Sequence, residues 1–112
     1  MKIVFKNGES FNIDRVIDTY SVDEHMYNLS ITFAKGTNVE SIINVVDAKD
    51  NVSLITVEDD AGNTTNEFAG YIINQVFYEI SSPDSTVEEK ITLSMFKQNS
   101  FCFNRFDLIL FI

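Results

Sequence analysis

Two side chain types suited to metal binding or nucleophilic attack near neutral pH occur once each: His25, within Asp23-Glu24-His25-Met26, and Cys102. Asp23, His25 and Cys102 could be imagined as a metal site. Zinc sites, however, use paired close ligands of the C-x2-C or H-x3-H kind, and none is present. A solvated loop histidine is expected instead. Asp59, Asp60 and Asn63, and likewise Asp47, Asp50 and Asn51, bring oxygen ligands close together as calcium loops do. Both lack the alternate ligand positions, central glycine and terminal glutamate of such a loop, so ordinary turn chemistry accounts for them.

Nucleophilic catalysis needs a serine or cysteine beside a base. With one histidine, no G-x-S-x-G elbow and Cys102 inside an apolar run, a reactive thiolate or serine is not expected. Carboxylates for a glycosidase-type pair are plentiful, but a β domain without tryptophan offers little platform for a sugar ring. The four glycines are isolated, at Gly8, Gly36, Gly62 and Gly70, and make no phosphate-binding loop. The expectation is a protein with no enzymatic activity, cofactor or metal.

Charge is the positive signal. Seventeen acids against eight bases give a net charge of −9, which repels nucleic acid and anionic lipid and favours basic partners. Between Glu40 and Glu67 stand Glu40, Asp47, Asp50, Glu58, Asp59, Asp60 and Glu67 against Lys49 alone, a local charge of −6. If the end of the helix and the Asp59-Asp60 turn share an edge, Asp47, Glu58, Asp59 and Asp60 would form a negative patch that steers toward a Lys/Arg-rich protein surface. The alternative is a solvated loop surface that keeps the protein soluble.

The elements that must position these residues follow from patterning. Lys2 to Lys6 and Glu9 to Ile13 read as strands joined by a two-residue Asn7-Gly8 turn. Tyr27, Leu29, Ile31 and Phe33 alternate with polar residues, as in a strand with one wet face. Thr37 stands three residues before Glu40, a capping box opening a helix from about Asn38 to Asp47 with Val39, Ile42, Ile43 and Val46 as its apolar stripe. Val52 to Glu58 and Thr64 to Ala69 flank the Asp59–Asn63 turn. Tyr71 to Ile80 and Val87 to Phe96 flank a loop containing Pro83. The expected class is α+β, mainly an antiparallel sheet of six or more strands with one short helix, in a single domain.

A chain of 112 residues with 45% hydrophobic content and ten phenylalanines can build one core. A lone cysteine makes the fold independent of an oxidising compartment. The N-terminus lacks the apolar run of a signal peptide, and no stretch has the length and apolarity of a spanning helix. Cytoplasmic expression is expected. Phe101 to Ile112 carries Phe101, Phe103, Leu108, Ile109, Leu110, Phe111 and Ile112, which must be buried in a central strand, a partner or a homodimer. The monomer core is the preferred location.

Taken together, Lys2–Glu9, Leu29–Phe33, Thr37–Ile42, Leu54–Asn63 and Gly70-Tyr71 resemble, over about residues 2 to 97, the layout of small acidic proteins from phages and prophages of Gram-positive bacteria. The resemblance carries no functional residue across, and the Phe101–Ile112 tail departs from it. It implies one of two kinds of binding protein. One is an inhibitor of host defence, anti-CRISPR-like, working in the host cytoplasm on a basic surface of a nucleic-acid-handling protein. The other is a structural part of a phage tail or baseplate.

Overall fold

A hairpin forms at Asn7-Gly8, but its turn differs from expectation. The computed structural model describes residues 1–79 and 90–98. In it β1 (Lys2–Phe5) pairs antiparallel with β2 (Ser10–Ser21). The Gly8 amide donates to the Phe5 carbonyl (2.9 Å) and the Phe5 amide to the Glu9 carbonyl (2.9 Å), leaving Lys6, Asn7 and Gly8 as the loop. A two-residue turn of the mirror-image type needs positive φ at both central positions. Gly8 has it (φ 91) and Asn7 does not; the Asn7 side chain instead accepts the Glu9 amide at 3.0 Å. The hairpin of β4 (Leu54–Glu58) and β5 (Thr64–Ala69) repeats this chemistry, with Gly62 (φ 85) in the place of Gly8.

β2 runs on well past Ile13. Its register with β3 (Met26–Phe33) shifts between Ile13 and Arg15, so Asp14 is a bulge. The extra residue lets Ile13 and Val16 both face inward, which erases the period-two pattern from the sequence. The first half of β2 pairs with β1 and the second with β3, so this one strand joins the two halves of the sheet. With β6 (Ile72–Glu79) and β7 (Lys90–Gln98), the order is β5-β4-β1-β2-β3-β7-β6, every neighbouring pair antiparallel. The architecture is α+β and mainly antiparallel β.

The helix α1 (Val39–Asp47) starts from a different cap. Asn38, not Thr37, is the N-cap: its Oδ1 accepts the amides of Glu40 (2.8 Å) and Ser41 (3.2 Å). The Thr37 hydroxyl donates to the Ala34 carbonyl, part of the turn that carries the chain out of β3. The apolar face is also rotated from the expected stripe. Ile42 and Val45 are buried, Val39 and Val46 pack at their flanks, and Ile43 is 46% exposed. Beyond the helix, Lys49–Val52 form a 3-10 turn, so Val52 is buried in that turn and does not begin β4. The Asn51 side-chain amide donates to the Val45 carbonyl (2.9 Å), giving the end of the helix a partner it lacks internally.

One face of the sheet makes the core. Ile3, Phe5, Ile13, Leu29, Ile31, Phe33, Ile55, Val57, Leu93 and Met95 are buried with Ile42 and Val45 of the helix. Phe11 meets Phe5 and Phe33 edge to face, with centroids 5.9 and 5.8 Å apart. No described polar side chain is buried. No helix among the described residues is long and apolar enough to cross a membrane. The expected strand start at Val87–Glu89, the Pro83 loop and the expected burial of Phe101–Ile112 lie outside the described residues.

The cap assignment has a direct test. Asn38→Ala should lower the unfolding free energy in urea melts by about 1 kcal/mol. Asn38→Asp keeps the acceptor and adds negative charge at the helix N-terminus, and should hold or raise stability. Equal losses for both variants would contradict the assignment.

Candidate functional site

The acidic residues divide between the two ends of β4. Glu58 closes that strand and stands opposite Lys2 in the register with β1. Asp59 is committed to the turn: its Oδ1 accepts the amides of Ala61 (3.0 Å) and Asn63 (2.9 Å). The exposed Asp60 receives the amino terminus of Met1 at 2.7 Å. That hydrogen bond, and then the charge behind it, holds the Asp60 carboxyl below the usual carboxylate range. Glu67, exposed on β5 and opposite Thr56, extends the acidic surface along the edge strand.

Asp47 sits apart from this group. It ends α1, whose carbonyl at Val45 is tied to Asn51, and the Asn51 carbonyl accepts the Lys6 amide at 3.0 Å. Lys6 follows the Phe5 end of β1, whereas Glu58 is level with Lys2 at the other end. Those two levels are separated by roughly 13 Å of strand. The shared edge that would unite Asp47 with Glu58, Asp59 and Asp60 is therefore absent. Around Asp47 the charges are also mixed, with Lys49 nearby in sequence and Lys6 bonded to Asp50 at 3.2 Å.

His25 occupies the turn between β2 and β3 with φ 54, a left-handed conformation that histidine tolerates better than most side chains. Among the described residues no three His, Cys, Asp or Glu side chains converge on a point that could hold a metal. Cys102 lies outside them.

A second cluster, with no local signal in the sequence, forms where β3, β7 and the start of β6 meet. Tyr27 pairs with Tyr20 on one side and Lys97 on the other. The Lys97 ammonium stands 5.2 Å from the Tyr27 ring centre and 4.9 Å from that of Tyr71, and donates to the Ala69 carbonyl at 3.2 Å. This is cation–π geometry. The partners are far apart in sequence and meet only through the β3–β7 pairing. Burial raises the Tyr71 phenol above its ordinary pKa, with smaller contributions from the charges of Asp18 and Tyr27.

Comparison with known protein families, with curated proteins and with solved structures finds no match to this chain.

Tyr71 supplies a pH prediction. Its folded pKa is raised, so the stability contributed by the neutral phenol is complete below the ordinary tyrosine range and is lost as pH climbs through the raised value. In a spectrophotometric alkaline titration, Tyr71→Phe should remove a late-titrating phenol. Loss of an early-titrating one would contradict the assignment.

Proposed function

We propose that this chain is a non-catalytic protein-binding module that docks through its acidic edge on a basic surface of a nucleic-acid-handling host protein. It would act as an inhibitor in the host cytoplasm, as the resemblance to small acidic phage proteins suggests. The observation that carries this reading is the grouping of Glu58, Asp60 and Glu67 along the β4–β5 hairpin at one edge of the sheet, on a chain of net charge −9. Asp59 holds the turn that presents the neighbouring acids, and Asp47 belongs to a separate, mixed-charge surface. Negative charge collected at a hairpin steers encounter with positive patches and discriminates against acidic ones.

A second reading, a structural protein of a phage tail or baseplate, draws on the opposite edge. β6 ends the strand order and exposes Ile72, Phe77 and Tyr78. Open apolar edges of this kind are suited to strand addition from another chain.

Salt separates the two readings. With a partner recovered from host lysate, the acidic edge predicts affinity that falls steeply with ionic strength, because exposed charges are screened beyond about 8 Å under physiological conditions. Glu58→Lys combined with Asp60→Lys should weaken binding by about tenfold or more, which is about 1.4 kcal/mol. Asp59 is left unchanged so that the turn survives. Binding indifferent to both salt and this double change would exclude the acidic edge and favour the β6 edge.

A further inference from the structure

The helix does not reach across the whole core face. On its β6 side, Ile43 and Val46 of α1, Val52 of the 3-10 turn, and Tyr71, Ile73 and Val76 line an open groove of about 540 Å³. Most of its lining is apolar, and the exposed Asp47 and Lys49 also line it. Ile43 and Ile72, which also line it, are 46% and 59% exposed. Large aliphatic side chains gathered in one such depression are the mark of a surface that something covers.

We infer that the occupant is the chain's own C-terminal segment, Phe101–Ile112. The first reason is where β7 ends. Phe96 pairs with Ile72 and Met95 with Ile73, and the Lys97 ammonium bonds to the Ala69 carbonyl. The chain thus leaves Gln98 beside the Tyr71–Ile73 end of the groove. The second reason is reach: fourteen residues follow Gln98, enough to span up to about 46 Å, well beyond the length of β6. The third is chemistry. Eight of the twelve residues from Phe101 are Phe, Leu or Ile, and among them stand one cation and one anion, Arg105 and Asp107, opposite in sign to the Asp47 and Lys49 of the lining. A tethered segment meets the groove at high effective concentration. A second copy of a chain carrying −9 would have to overcome its own repulsion.

The sequence has no tryptophan, so Phe111→Trp gives a single reporter. In the intact monomer its emission should be blue-shifted and shielded from acrylamide, independent of protein concentration. Adding Ile43→Asp and Ile72→Asp, both at exposed positions, should shift the emission to the red and remove the shielding while the far-ultraviolet circular dichroism of the sheet persists. An exposed indole in the intact chain would overturn the inference. So would shielding that appears only as the mass doubles, which assigns the groove to a second copy, or shielding that survives the two aspartates. Should those aspartates unfold the protein, a cysteine pair decides. With Cys102→Ser, the combination Ile43→Cys and Leu110→Cys should form a disulfide within one chain, whereas Thr19→Cys with Leu110→Cys, on the opposite sheet face, should not. Equal yields from both pairs would also overturn the inference.

Discussion

Among the described residues, a nine-residue helix must cover one face of a seven-stranded sheet, and the other described surfaces follow from that mismatch. Ile42 and Val45 sit in the same buried cluster as Ile3, Ile31, Ile55 and Leu93, so the helix seals the middle of the sheet. Burying a side chain of this size is worth about 1.5 to 3 kcal/mol, and so short a helix has no stability of its own without such packing. The constraint acts in both directions. The sheet holds the helix in place, and the helix keeps the centre of the sheet dry.

What the helix leaves uncovered defines the remaining surfaces. Toward β6 the core face opens into the apolar groove beside Tyr71 and Val76. Past the end of the core, at Tyr20, Tyr27 and Lys97, the same face carries rings and a cation in place of aliphatic groups. At the other edge the β4–β5 turn gathers the carboxylates of Asp59 and Asp60. One edge strand is therefore acidic toward its turn and the other apolar, and the two are joined directly through Gly70-Tyr71, where the Phe68 and Tyr71 rings meet at 5.9 Å.

Much of this was legible from the chain, and the failures have local causes. Strand alternation at Leu29, Ile31 and Phe33 is visible because that strand is regular and its inner face is buried. The second half of β2 is not visible, because the bulge at Asp14 puts Val16 inward out of phase. The Asn7-Gly8 and Asp59–Asn63 turns are legible in composition, but loop length depends on which carbonyl the Gly8 and Gly62 amides reach, a choice that composition does not fix. Thr37 and Asn38 are both good caps in sequence; the turn after β3 uses the Thr37 hydroxyl and leaves the cap to Asn38. The strand between Asp47 and Asp59 is legible as an apolar run ending at Glu58, but the 3-10 turn at Lys49–Val52, which keeps the helix end at the opposite end of that strand, is not. The Lys97–Tyr27–Tyr71 cluster arises from long-range pairing and had no local signal at all.

Residue-resolved amide hydrogen exchange on the intact chain tests most directly whether helix and sheet centre form one unit. The α1 amides around Ile42 and Val45 should exchange only with global unfolding, at the same free energy as Ile3, Ile31 and Ile55, while the outward amides of β5 exchange faster. A helix that opens independently, at a free energy well below that of the central strands, would show that α1 is not the cover on which the core depends.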